Sequence, residues 1–110
     1  WKPSKGFSLK TYSQSPVGGG LGGSSSLSIS FLKAMGEWLG KDMNLTEIVN
    51  VANNIECKVL HTPTGTQDYV PAASPGMNAI HYTADGFRVE KLDFPEEIFK
   101  EKIIVIIYLI

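Results

Sequence analysis

Between Gly18 and Gly23 the chain reads "GGGLGG", five glycines in six residues, and three serines, Ser24 to Ser26, follow at once. Beyond them Leu27, Phe31, Met35 and Trp38 recur at helical spacing, with Leu32 and Leu39 widening the stripe and Gly40 supplying a stop. A chain that gives up its side chains directly before a helix leaves backbone N–H groups bare at the helix's positive end. An anion can approach there without meeting a Cβ, which is how a phosphate is cradled. The serines add hydroxyls able to cap the helix, contact phosphate or ligate Mg2+. A simple tight or flexible turn is the competing use of such a cluster.

The rest of the chain supplies a frame for that segment. Phe7 to Ser13 alternates apolar and polar residues and predicts a half-buried strand. Asn44 followed by Glu47 has the form of a capping box, and Ile48, Val51, Ala52, Ile55 and Val59 mark one face of a second helix. Met77 to Phe94 predicts a hairpin turning at Asp85-Gly86, and Ile103 to Leu109 a further strand. Phe31 and Trp38 are assigned to the core, Asn78 to a structural turn, and Lys2, Lys5 and Lys10 to a solvated face. The expected class is α+β.

Composition excludes several functions. With 110 residues and a formal net charge of −1, the chain has no electrostatic footprint for nucleic acid or an acidic membrane surface. The apolar run from Ile103 to Ile110 is too short to span a bilayer, and no stretch resembles a signal peptide. Cys57 is the one cysteine, so no internal disulfide forms and a cytoplasmic protein is expected. His61 and His81 with Cys57 fit no zinc spacing. Trp1 in place of Met, and an apolar end without turn or polar tail, predict a piece of a larger protein. Oligomeric state is silent in the sequence.

Three phosphate-binding loops compete for the glycine segment. A P-loop ends in Gly-Lys-Ser/Thr, and after the glycines the first lysine is Lys33, at a helical position with the wrong spacing. A dinucleotide fingerprint is formally present as Gly18-x-Gly20-x-x-Gly23, but it needs a second strand ending in an acidic residue about twenty residues on. Glu37, the nearest acid, lies inside the helix. The third candidate fits better. Pro16-Val17-Gly18-Gly19-Gly20-Leu21-Gly22-Gly23-Ser24-Ser25-Ser26 closely resembles the phosphate-binding motif of the GHMP kinases, the family of galactokinase, homoserine kinase, mevalonate kinase and phosphomevalonate kinase. Gly23 stands where that family usually carries its first serine. By alignment on Gly20-Leu21-Gly22, the serine that contacts the nucleotide phosphates and Mg2+ is Ser24.

A second resemblance lies downstream, in "ECKVLHTPTGTQD" from Glu56 to Asp68. It is similar to the family segment in which a helix-borne glutamate ligates Mg2+ and an aspartate after a "TG" or "SG" turn sits at the acceptor hydroxyl. The Glu56 to Asp68 spacing matches the galactokinase and heptose-kinase branches better than mevalonate kinase, and Gly65-Thr66-Gln67-Asp68 looks like the Gly-Lys-Gln-Asp of the heptose 7-phosphate kinases. Glu56 itself falls on the flank of the second helix's apolar face at about 100° per residue, where a carboxylate needs a partner such as a cation. The ordinary uses of these two acids are a surface glutamate at the rim of a core and a turn or helix-start aspartate.

The resemblance implies a fold, a reaction and a site. The fold is the family's N-terminal domain, similar to the second domain of ribosomal protein S5, with a sheet covered on one face by helices; residues 1–110 are then a partial domain and the C-terminal domain is absent. The reaction is transfer of the γ-phosphoryl group of ATP, with Mg2+, to a hydroxyl of a sugar or sugar phosphate. Gly18, Gly19, Gly20, Leu21, Gly22, Gly23, Ser24 and Ser25 hold the nucleotide, Ser24 and Glu56 the metal, and Asp68 meets the acceptor. Gly65, Thr66, Gln67 and Tyr69 are expected on the acceptor side, Tyr69 lining the sugar pocket rather than packing. Alternatives are a mevalonate- or homoserine-type acceptor, a nucleotide-binding homologue without catalysis, and a nucleic-acid module, which the charge disfavours.

Overall fold

In the computed structural model, which describes residues 6–12, 18–93, 95 and 97, the helix expected after the glycines runs Gly23–Trp38 (α1). Gly22 is its N-cap, in the left-handed region at φ 66°, and Leu39 and Gly40 (φ 63°) end it. The second helix, Leu45–Leu60 (α2), starts on the expected capping box: Asn44 Oδ1 accepts from the Glu47 N–H at 3.0 Å, and Glu47 Oε2 accepts from the Asn44 N–H at 3.0 Å. A short helix, Tyr69–Ala73 (α3), follows the TPTGTQD loop. Its Pro71 is tolerated because the first helical turn has no N–H bonds to lose. Asn78–Thr83 (β1) and Gly86–Lys91 (β2) then pair antiparallel from Asn78↔Lys91 to Thr83↔Gly86.

The core lies where the three helices meet. Ile29 and Leu32 of α1, Ile48, Val49 and Ala52 of α2, and Tyr69, Val70 and Ala73 of α3 are buried, and Ile80, Phe87 and Val89 of the hairpin pack against them. Lys33 Nζ reaches across to donate to the Ala73 carbonyl at 3.1 Å, tying α1 to the end of α3. Asn78 holds the α3–β1 turn, its amide donating to the carbonyls of Ser74 at 2.8 Å and Gly76 at 3.0 Å.

Several expectations need correction. The buried stripe of α1 is Ser25, Ile29, Leu32 and Gly36, while Leu27 and Trp38 are exposed and Phe31 is half-buried. The stripe of large apolar side chains is out of phase because two of the four buried positions of α1, Ser25 and Gly36, carry small residues. On α2, Val51, Ile55 and Val59 face outward and Val49 takes their place in the core. Phe7–Tyr12 forms no strand, since no described segment offers it a ladder; Phe7 instead stacks edge-on against Trp38 at 5.5 Å. The hairpin turn sits one residue earlier than Asp85-Gly86: Ala84 and Asp85 span it and Gly86, at φ 136°, closes it. Ser13, Phe94 and the expected strand from Ile103 to Leu109 lie outside the described residues, so the sheet seen is two-stranded.

Gly36 shows how tight the small-residue face is. A Cβ there would lie 2.7 Å from the Lys41 carbonyl oxygen, a backbone atom that cannot swing away. Overpacking costs about 1–3 kcal/mol against a helix-propensity gain of about 1 kcal/mol. Gly36→Ala is therefore expected to lower the melting temperature of the intact protein; an unchanged or raised value would show that α1 and the Lys41 loop have room to part.

Candidate active site

The glycine segment reaches α1 through a backbone that alternates into the left-handed region, with Gly18, Gly20 and Gly22 at φ 75°, 65° and 66°. Side chains there would be strained, and their absence leaves the loop's N–H groups open. The first intrahelical bond of α1 is Ser26 N–H to the Gly22 carbonyl, at 2.9 Å, so the N–H groups of Gly23, Ser24 and Ser25 precede the helical ladder. No acidic residue occupies the first turn to neutralise its positive end. Gly23 adopts helical geometry as the first residue of α1, which a serine could equally take.

The three serines point to different surroundings. Ser24 is exposed. Ser25, only 4% exposed, is turned into the protein. Ser26 lines a cleft of about 260 Å³ together with Leu21, Gly22, Asp68, Pro71 and Ala72.

Asp68 stands at the wall of that cleft. A Cβ on Gly22 would lie 3.4 Å from Asp68 Cβ and 3.5 Å from its carboxyl carbon, so aspartate and glycine loop are packed side to side. Although Asp68 is at the N-cap position of α3, it has helical dihedrals and its side chain makes no cap hydrogen bond. The carboxylate is exposed and uncommitted to local structure. Gly65 and Gln67 are exposed beside it, a Cβ on Gly65 would collide with the Gln67 amide, and the Thr66 carbonyl accepts from the N–H groups of Tyr69 and Val70 at 3.1 and 3.2 Å.

Glu56 is half-buried on α2, as the wheel predicts, and has no ion pair among the described residues. It rims the groove between α1 and α2 near Phe31 and Ile55. Tyr69 is 1% exposed and part of the core, so its ring does not line an acceptor pocket. Its hydroxyl is buried with no hydrogen-bond partner. Burial first, and then the neighbouring Glu56 carboxylate, push the phenol pKa up to about 12, with Ser25 acting in the opposite sense. Ser24 and Glu56 make no direct hydrogen bond to each other among the described residues. Two groupings thus emerge: Gly22, Ser26 and Asp68 around the cleft, and Ser25 and Glu56 about the buried Tyr69 hydroxyl.

Asn53 was not singled out by the sequence, yet it fixes the loop that carries Asp68. Its amide donates to Thr64 Oγ1 at 2.9 Å and the Thr64 carbonyl at 3.0 Å, while Cys57 Sγ accepts from the Thr64 N–H at 3.4 Å. The available signal is spacing, because Asn53 and Cys57 lie one helical turn apart and face the same returning chain. Asn53→Ala is expected to destabilise by about 1–3 kcal/mol through loss of these partly buried bonds, read as a lower urea midpoint. An unchanged midpoint would mean the loop holds its course without Asn53. Of the other residues with ligating side chains, His61 caps α2 in the left-handed region at φ 52°, and His81 pairs with Glu90 across the hairpin at 3.1 Å. No three such side chains come together among the described residues.

The larger cleft, about 450 Å³ between Lys33, Glu37, Lys41 and Met43, lies at the far end of α1 from both groupings. No described helix is long and apolar enough to cross a membrane.

No solved structure matches the chain. A curated relative, D-glycero-alpha-D-manno-heptose 7-phosphate kinase of Campylobacter jejuni, is 42% identical over 76 residues, which is 69% of this chain and 22% of the relative. The chain thus spans about a fifth of that protein's length. The GHMP kinases N terminal domain matches residues 1–76, a segment that contains the glycine loop, Glu56 and Asp68. On that match the chain belongs to the GHMP kinase N-terminal domain family.

Proposed function

We propose that this chain is the nucleotide-binding portion of a cytoplasmic kinase that uses ATP and Mg2+ to phosphorylate a hydroxyl of a sugar phosphate, with a heptose 7-phosphate as the leading acceptor. The observation that carries the reading is the packing of Asp68 against Gly22 at the open, uncapped start of α1. Phosphoryl transfer depends on positioning and charge stabilisation. A phosphate-cradling helix start beside an uncommitted carboxylate supplies both. The kinase relative supports the acceptor class, being a heptose 7-phosphate kinase over the matched stretch.

In this reading the backbone N–H groups from Gly18 to Ser25 bind the nucleotide phosphates. Ser24 and Glu56 hold Mg2+, a role that fits a half-buried carboxylate with no protein cation beside it. The bound metal neutralises charge on the phosphates. Asp68 orients the acceptor hydroxyl and takes its proton, and Gly65, Thr66 and Gln67 border the acceptor. The wider sheet of the ribosomal protein S5-like fold belongs to the same proposal, as does the view that residues 1–110 are part of an N-terminal domain.

The test is ADP release by the intact protein with ATP and Mg2+ across hexoses, heptose phosphates, fucose, mevalonate and homoserine. Turnover with a heptose phosphate is the expected result. Turnover confined to mevalonate or homoserine would overturn the acceptor, and absence of both turnover and ATP binding would remove the kinase reading.

A further inference from the structure

The Tyr69 hydroxyl is buried and forms no hydrogen bond of standard geometry, although Glu56 and Ser25 stand beside it. It is the one buried side-chain polar atom without a hydrogen-bond partner among the described residues, in a side chain 1% exposed. A buried polar group left unpaired costs stability, and phenylalanine would fill the same space without that cost. The groups that face it are few. Glu56 of α2 and Ser25 of α1 are near enough to act on the phenol, with a weaker influence from Cys57. Ser25 is itself 4% exposed and Glu56 half-buried, so the hydroxyl sits between the start of α1 and the acid of α2, shielded from solvent.

We infer that Tyr69 is a positioning residue for the metal site: with that site filled, its O–H would donate to the Glu56 carboxylate and the Ser25 hydroxyl would donate to the phenol oxygen. The inference rests on the proposed role of Glu56 and extends it. A carboxylate that ligates a metal is held by a hydrogen bond to its second oxygen, and losing such a partner typically costs about 10–100-fold in metal affinity. The donor must be neutral, close and dry. A core phenol meets those conditions, and its placement directly after Asp68 ties the orientation of Glu56 to the segment carrying the acceptor-side acid. Tyr69 therefore couples two ends of the site without touching substrate.

The experiment is calorimetric ATP binding to the intact protein as a function of Mg2+ concentration, for the wild type, Tyr69→Phe, Glu56→Gln and the double variant. Tyr69→Phe is expected to raise the Mg2+ concentration at half-effect by about 10–100-fold, leaving metal-free ATP binding and the melting temperature equal to or above wild type. In the Glu56→Gln background the same change should have no further effect, because its route runs through that carboxylate. An unchanged Mg2+ midpoint in Tyr69→Phe, a lowered melting temperature as its sole effect, or an undiminished effect in the Glu56→Gln background would each overturn the assignment while leaving the kinase reading intact. A wild type that binds ATP without any response to Mg2+ removes the metal site, and this inference with it.

Discussion

Asp68→Ala in the intact protein is expected to lower turnover by about 10²–10⁴-fold, the usual contribution of a positioned acid or base, while ATP binding stays within a few-fold of wild type. The variant should fold normally. Asp68 makes no cap hydrogen bond in spite of its place before α3, and its side chain is exposed, so truncation removes no structural bond. Stability is expected within about 0.5 kcal/mol of wild type. That separation gives the experiment its force, because a loss of turnover cannot then be charged to unfolding. Steady-state kinetics with a responsive sugar phosphate, beside ATP titration calorimetry, reads both quantities. Asp68→Asn divides the remaining question: retained activity would assign Asp68 to orienting the hydroxyl by hydrogen bonding, and a loss as deep as alanine's would assign it to proton transfer. Near-normal turnover of Asp68→Ala would take this residue out of the mechanism.

Which features could be read in advance follows from how local their causes are. The capping box at Asn44 and Glu47, the end of α1 at Gly40 and the glycine approach to α1 depend on neighbours within a few residues, and all three are present. The half-buried state of Glu56 was equally legible, since it follows from angle around one helix. The phase of α1 was not. Ser25 and Gly36 are buried although both are small, Gly36 against the Lys41 carbonyl, and no periodicity of large side chains records such positions. For the same reason Trp38 and Leu27, the strongest apolar signals of the helix, lie exposed. The segment Phe7–Tyr12 has a strand's alternation without a strand's ladder, which only a partner can supply.

The site divides along the same line. The spacing of Glu56 and Asp68 and the glycine loop are linear features and could be matched to a family. What the linear reading lacked was depth. Sequence alone puts Tyr69 at the acceptor pocket, where the fold buries it in the core, and gives no sign of Asn53, whose bonds to Thr64 tie α2 to the loop that follows it. Both residues act across the turn that brings Asp68 back to Gly22, and that closure is tertiary.

Gly22 is where the two kinds of information meet, and Gly22→Ala is expected to damage binding and turnover together. At φ 66° an alanine is held in the left-handed region, at a cost on the order of 1–2 kcal/mol. The new methyl would fit against Asp68 at 3.4 Å, ordinary contact, so the damage comes from the backbone. Relaxing that strain means rotating the N-cap peptide, which re-aims the N–H groups at the start of α1 and shifts the wall against which Asp68 stands. A displacement of about 1 Å in a catalytic arrangement can cost about 10²-fold in rate. Gly23→Ser is the paired control: Gly23 is already helical, so a side chain there meets no backbone penalty, and ATP affinity and turnover are expected to stay near wild type. Measuring ATP affinity and kcat for both variants separates conformation from composition. If Gly22→Ala behaved like Gly23→Ser, neither the left-handed turn nor its contact with Asp68 would matter to phosphate binding, and the loop would be an ordinary flexible entry to a helix.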